Sequence, residues 1–213
     1  MLAVEPNPFR DLTPGYYAVA VADPPWHFAV RSKRGEGRSA VRHYPVMGLE
    51  NLTALPVSNL MLPTAWLFLW VPGPHLMQAG ALIEAWGFQY SGVGFVWVKT
   101  NPKSPTLFYD QRSFHVGLGF TTRKNTELCL LARRGRPQRA RKDVRELIIA
   151  PRREHSRKPD EFYERVRAFA RGPYLELFAR EVRPGFECWG NEVDRFNSGV
   201  ASWPPPGSTA HGP

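Results

Sequence analysis

The chain has two cysteines among its 213 residues, Cys129 and Cys188, and no C-x-x-C pair. That excludes a disulfide framework and a thiolate zinc site, and it fits a reducing compartment. Long apolar runs are missing as well. The longest, Ala65 to Val71, falls far short of the ~20 residues that cross a bilayer, so no membrane span is expected. The opening "MLAVEP" has no basic start leading into an apolar core, so no signal peptide is expected, and the expected location is cytoplasmic. Six histidines form neither HExxH nor any other clustered ligand spacing, so no metal is expected. "GVGF" (92–95) and "GLGF" (117–120) contain G-x-G without completing G-x-G-x-x-G at a strand-to-helix turn, which leaves NAD binding unsupported. Acidic residues are scarce beside basic ones, 19 against 28, for a net charge of +9. Such an excess points to a polyanionic partner, nucleic acid first.

What is present is an alternation of apolar runs and amphipathic stretches, without internal repeats. Residues 1–15, with Pro6, Pro8 and Pro14, read as an irregular lead-in. Residues 16–22 predict a buried strand. Residues 27–48, rich in Gly, Arg and Lys, predict a long loop. A short helix follows near Leu49 to Leu60, then a strand over 65–71. Next come a helix from Pro74 to Trp86 ended by Gly87, and a strand over 90–99. After a second long loop (100–125), strands are predicted over 126–133 and 144–150. A helix is predicted over 158–170, with Phe162, Val166 and Phe169 as its apolar stripe, and a strand over 174–180. "GFECWGNE" closes the domain as a strand or turn. Residues 197–213 read as a flexible Pro/Gly/Ser-rich tail, leaving one domain over 16–196. Strands alternating with helices predict an α/β fold with a mostly parallel sheet and helices on both faces. In such sheets ligands sit at the carboxyl ends of the strands.

The residues that leave the first strand are "DPPW", Asp23 to Trp26. Asp23 brings carboxylate oxygens that accept hydrogen bonds when ionised. Pro24 and Pro25 have no N–H, so their carbonyls are acceptors on a stiff frame. Trp26 adds a flat π surface. Together they form a notch for a planar ring bearing an NH₂ group, such as the exocyclic amine of adenine. Acceptors on both N–H groups would draw that amine toward sp³ geometry, free its lone pair, and stabilise the positive charge that grows as it attacks an electrophile. Read alone, the stretch is either this notch or a Pro-Pro turn followed by a packing tryptophan.

Further segments occur in order along the chain: "HYPVM" (43–47), "LFLWV" (67–71), "AWGF" (85–88), "WVKTN" (97–101), "ELCLLARRGRP" (127–137), "SRKPDEFY" (156–163), "ELFAR" (176–180) and "WGNE" (189–192). With DPPW, they make the chain resemble the MT-A70 family of S-adenosylmethionine-dependent adenine-N6 methyltransferases over about Tyr16 to Glu192. The resemblance implies a Rossmann-like methyltransferase fold, circularly permuted so that the catalytic motif precedes the cofactor motif. It also implies direct in-line transfer of a methyl group to N6 of adenine. On it, Asp23 and Pro24 accept hydrogen bonds from the amine, Pro25 and Trp26 shape the base pocket, and Tyr44 clamps the extruded base. It makes S-adenosylmethionine the cofactor, held by Asp23, Pro25, Lys158, Phe178, Ala179, Arg180, Asn191 and Glu192. Lys158 meets the methionyl carboxylate, and Asn191 and Glu192 meet the ribose hydroxyls. Glu176 and Leu177 are read as structural. His27 and His43 flank the base pocket and are read as loop residues rather than bases.

Two basic segments are read as contacts to the nucleic-acid backbone. One supplies Arg31, Lys33, Arg34, Arg38 and Arg42. The other supplies Arg133, Arg134, Arg136, Arg139, Arg141 and Lys142. They would help offset the few kcal/mol, roughly, of unstacking a target adenine. The chain reads as a prokaryotic or phage-like member, a monomer or homodimer, acting on DNA in preference to RNA. RNA methylation and a catalytically silent nucleic-acid-binding subunit are the alternatives.

Overall fold

The apolar run before Asp23 forms β1 (Tyr17–Ala22), with both of its faces buried. Such burial requires neighbours on each side and cover above and below. A computed structural model of the chain, describing residues 7–26, 47–103, 109–117, 122–154, 157–191 and 193, supplies both. The other strands are β2 (Met61–Val71), β3 (Gln89–Thr100), β4 (Thr126–Arg134), β5 (Leu147–Pro151), β6 (Tyr174–Leu177) and β7 (Phe186–Trp189). They make one seven-stranded sheet in the order β5-β3-β4-β2-β1-β6-β7. β1 runs parallel to β2 and β6, β6 to β7, and β3 to β5, whereas β4 is antiparallel to both its neighbours. Six strands therefore share one direction and β4 alone is reversed. The strand ending in DPPW lies next to the strand of the "ELFAR" segment, although that segment comes later in the chain.

Alternation along the central strands splits the core into two layers. Ala20, Ala22, Leu67 and Leu69 face α1 (Leu49–Thr53) and α2 (Ala79–Ala85), meeting Leu52, Leu82, Ile83 and the adjoining Trp86. Val19, Val21, Phe68, Trp70 and Phe95 face α3 (Asp160–Phe169), meeting Phe162 and Val166. Helices thus cover both faces, as expected. Phe162 sets its ring edge-on against Phe68, Trp70 and Phe95, so truncation to alanine would cost about 3–5 kcal/mol.

Local departures from the sequence expectations have physical reasons. The stretch 74–86 is not one helix: a 3-10 turn over Gly73–His75 precedes α2. Its first part has no apolar face to bury, since Met77 is 92% exposed and Leu76 is also exposed. Gly87 ends the helix at φ 79°, a left-handed position that glycine adopts without strain. The short helix expected over 49–60 is α1 followed by a 3-10 turn at Val57–Asn59. β2 starts four residues before the expected strand, and β5 starts at Leu147 rather than at 144. α3 starts at Asp160, because Pro159 stays extended (φ −66°, ψ 143°) as its N-cap. Lys158 therefore lies in extended backbone just ahead of the helix. The strand expected over 174–180 stops at Leu177, since Phe178 turns left-handed at φ 61°. Within the lead-in, Phe9 packs edge-on against Trp189, whose Nε1 donates to the Pro8 carbonyl at 2.9 Å.

Candidate active site

Ala22 lies beside Leu69 and Leu177 in register, and Leu177 lies beside Trp189. Asp23, Phe178 and Gly190 therefore step off the carboxyl edge of three adjacent strands. Beyond this edge the DPPW backbone is tied down. The Pro24 carbonyl accepts the Trp26 N–H at 2.8 Å, and the Pro25 carbonyl accepts the Met47 N–H at 2.8 Å. Each carbonyl keeps a second lone pair. Trp26 is only 3% exposed, donates its Nε1–H to the Trp70 carbonyl at 3.1 Å, and stacks on His75. Its ring is a packed wall behind Asp23, not an open platform.

Asp23 is half-buried and faces Lys158. Lys158 Nζ lies 2.8 Å from Asp23 Oδ2, 3.1 Å from Glu127 Oε2 and 5.1 Å from the centroid of the Trp70 ring. Glu127, at the start of β4, also pairs with Lys99 near the end of β3. The result is an alternating chain of charge, Asp23–Lys158–Glu127–Lys99. Lys158 is 6% exposed. Burial opposes its charge, but Asp23 and then Glu127 outweigh that and lift its pKa above the usual lysine value. Burial opposes the Glu127 charge too, and Lys158 and Lys99 overcome it, holding that carboxyl at about 2.

Next to Asp23, the end of β6 carries a second carboxylate. Glu176 is buried at 7% exposure and accepts the Tyr163 hydroxyl on Oε1 at 2.6 Å. Its pKa is pushed up to about 7, mainly by burial. The Arg183 guanidinium lies 3.5 Å over the Tyr163 ring and pairs with Glu181 and with Asp160. Arg157 also meets Glu181, at 2.9 Å. Asp23, Lys158, Glu176, Phe178 and Arg180 line one cleft. On its far side Gly190 passes so close to residue 179 that a Cβ would stand 2.5 Å from the Ala179 carbonyl oxygen, which explains a glycine there. Ala179 N–H donates to the Trp189 carbonyl at 2.9 Å, so the chain enters exposed Asn191 directly alongside this turn.

The fold thus brings Asp23, Lys158, Phe178 and Arg180 together around a cleft. Pro24, Pro25 and Trp26 stand behind it, and Ala179 and Asn191 lie at the β6–β7 end. Tyr44, Glu192, His27, His43, Arg31, Lys33, Arg34, Arg38 and Arg42 lie outside the described residues. The second basic segment is not brought to the cleft. Because β4 is reversed, Leu128 pairs with Val71 at the carboxyl edge while Arg134 pairs with Ala65 toward the amino edge. Arg133 and Arg134 therefore sit on the far side of the sheet, bonded to Gln89 Oε1 and to the Ser58 carbonyl. Arg136, Arg139, Arg141 and Lys142 follow there, where Ala140 N–H donates to the Phe169 carbonyl at the end of α3. Besides Arg157, Lys158 and Arg180 in the cleft lining, the loops on that edge carry Lys103, Arg112, Arg123 and Lys124 between β3 and β4, and Arg152 and Arg153 after β5. These loop cations, with Glu127 and Lys99, carry no reading from the sequence, and Glu176, read there as structural, is a buried carboxylate that borders the cleft. A carboxylate heading an otherwise apolar strand, as in "ELCLLA", was the one signal available for Glu127. Among the described residues no group of three or more His, Cys, Asp or Glu could hold a metal ion, and no helix is long and apolar enough to cross a membrane.

The MT-A70 family model matches residues 17–192. The type II methyltransferase M.MunI of Mycoplasma sp is 30% identical over 211 residues, covering 88% of this chain and 84% of its own length. The N(6)-adenosine-methyltransferase MT-A70-like protein of Arabidopsis thaliana is 31% identical over 184 residues, 84% of this chain and 24% of its own. The human N(6)-adenosine-methyltransferase catalytic subunit METTL3 is 29% identical over 189 residues, 84% of this chain and 29% of its own. The chain thus spans most of the Mycoplasma protein and less than a third of the plant and human ones.

Proposed function

The chain belongs to the MT-A70 family and, with it, to the adenine-N6 methyltransferases; we propose that it draws the methyl group from S-adenosylmethionine and that its acceptor is adenine in DNA. The observation that carries this reading is the contact of Lys158 with Asp23 across one cleft. It joins the amine-binding notch to the cation suited to an amino-acid carboxylate.

The donor set fits S-adenosylmethionine. Lys158 would hold the methionyl carboxylate, and Phe178, Ala179, Arg180 and Pro25 would line the body of the cofactor. Asn191 and Glu192 would bind the ribose hydroxyls, with Gly190 giving the chain the close pass that puts Asn191 beside Ala179. When bound, the cofactor supplies an electrophilic methyl group on a sulfonium. Asp23 would accept one N–H of the target amine on Oδ1, since Oδ2 is engaged by Lys158. The Pro24 carbonyl would accept the other on its second lone pair. Both acceptors grow stronger as N6 becomes positive, so they favour the transition state over the ground state. The extra proton then leaves to solvent, because a methylated adeninium is strongly acidic. Trp26 forms the rear wall, and Tyr44 would clamp the extruded base.

DNA is preferred because the likeness to the type II methyltransferase runs over nearly the whole of both chains. The carboxyl-edge cations Lys103, Arg112, Arg123, Lys124 and Arg152 would track the phosphates beside the target, together with Arg31 to Arg42. The Arg133–Lys142 group would reach only more distant backbone. The test is methyl transfer from labelled S-adenosylmethionine to duplex DNA, single-stranded DNA and RNA of matched sequence. DNA should be labelled and RNA not. RNA labelling would move the chain to the activity named for its plant and human relatives. No labelling of any of the three would remove the reading.

A further inference from the structure

The cleft holds a buried carboxylate for which methyl transfer, as described, has no use. Glu176 lies in register with Val21, two residues before Asp23, on the α3 side of the sheet. Its Oε1 is filled by the Tyr163 hydroxyl. Its Oε2 is buried and has no hydrogen-bond partner among the described residues. Arg183 Nε forms a long ion pair with it at 3.8 Å, beyond hydrogen-bond reach, and is itself buried without a hydrogen bond among the described residues. A buried carboxylate oxygen without a donor is costly, and glutamine would satisfy Tyr163 without a charge. Such an oxygen, nine-tenths buried and bordering a cleft, marks a place for a donor that comes from elsewhere.

The neighbouring charges indicate which donor. Lys158, Arg157 and Arg180 border the cleft as cations and Asp23, Glu176 and Glu181 as anions, with Arg157 and Glu181 paired to each other. Asp23 is engaged by Lys158 on one oxygen and reserved for the target amine on the other. A ligand with a carboxylate and an ammonium on a single carbon would match Lys158 with the first and leave Glu176 for the second. The methionyl end of the proposed methyl donor is such a group. We infer that Glu176 Oε2 accepts a hydrogen bond from the α-ammonium of the donor, which makes Glu176 a specificity residue for donors carrying a free amino-acid end. This rests on the reading of S-adenosylmethionine as the donor.

The test is calorimetric titration of the full chain and of Glu176→Gln with two ligands: S-adenosylhomocysteine and its analogue lacking the α-amino group. Glutamine keeps the size of the side chain and the Tyr163 hydrogen bond while removing the charge. Glu176→Gln should bind S-adenosylhomocysteine roughly ten- to hundredfold more weakly, the loss of one charge-assisted hydrogen bond, and bind the desamino analogue within about twofold of wild type. An equal loss on both ligands, or none on either, would overturn the role of Glu176 and leave the donor reading standing. Failure of the wild-type chain to bind S-adenosylhomocysteine would overturn the donor reading, and this inference with it.

Discussion

Lys158 Nζ sits 2.8 Å from Asp23 Oδ2, a contact that bridges 135 positions of sequence. The pair is assembled from the loop before α3 and the end of β1. It fixes the rotation of the Asp23 carboxylate, so that Oδ2 is turned to the cation and Oδ1 away from it.

On the proposed reading, replacing Asp23 by alanine removes the acceptor that would strengthen as the amine becomes positive. The loss of one preorganised charge-stabilising group lowers turnover by about 10²–10³ or more. Lys158 remains paired with Glu127, so affinity for S-adenosylhomocysteine should stay within about tenfold of wild type. Single-turnover methyl transfer and calorimetry on the same preparation separate the two effects. An Asp23→Ala chain with full activity would take Asp23 out of the chemistry.

Glu127 links this pair to the pH dependence of stability. Its folded-state pKa of about 2 lies below the unfolded value near 4.5. Its contribution is therefore complete above about pH 4.5 and is lost as pH falls through 2. A shift of that size corresponds to at most about 3 kcal/mol, less any screening by solvent. Urea unfolding should show wild type weakening from pH 5 to pH 2.5, with a shallower slope in Glu127→Gln. The variant should also be less stable than wild type at pH 7, because Lys158 and Lys99 lose their shared partner. Parallel pH profiles for the two chains would exclude this role.

β1 and the turn after it are legible in the sequence, because an unbroken apolar run ended by Asp-Pro-Pro admits few other conformations. The α3 stripe of Phe162, Val166 and Phe169 is legible through its spacing. The direction of β4 is not: "ELCLLAR" buries the same side chains whichever way it runs, and only its pairing with β2 and β3 fixes its polarity. That one undetermined sign moved Arg133 to Lys142 from the cleft to the opposite edge. Glu176 is legible only in part: its strand reads as structural, but that its carboxylate is buried and half-satisfied depends on its register with Val21 and on the hydroxyl of Tyr163.

Glu176 should cost the fold stability at neutral pH. Its folded pKa, near 7, lies above the unfolded value of about 4.5. The favourable, protonated state is thus fully present below pH 4.5, and stability is lost as pH rises through 7. By pH 8 the penalty approaches roughly 3 kcal/mol. Glu176→Gln should therefore melt at a higher temperature than wild type at pH 8 and at nearly the same temperature at pH 4.5. A variant that is less stable than wild type at both values would show that the carboxylate supports the fold instead of burdening it.

With DNA as the proposed acceptor, the polarity of β4 also decides which cations would meet it. β3 and β5 end, and β4 begins, on the edge that carries Asp23, so the loops bearing Arg123, Lys124 and Arg152 rise beside the cleft. The Arg152 N–H donates to the Thr100 carbonyl at 2.9 Å, which anchors that loop to the edge. Each phosphate contact made there releases about one counterion, so each lost contact lowers the slope of log affinity against log salt by about 0.9. Alanine at Arg123, Lys124 and Arg152 together should reduce that slope by up to about 3 and weaken duplex binding. Alanine at Arg136, Arg139 and Lys142 should change it by less than about 1. Fluorescence anisotropy of a labelled duplex between about 50 and 200 mM salt measures both. A larger loss from the second set would put the duplex across the amino edge, where no extruded base could reach Asp23, and the assignment of the cleft as the site of transfer would fail.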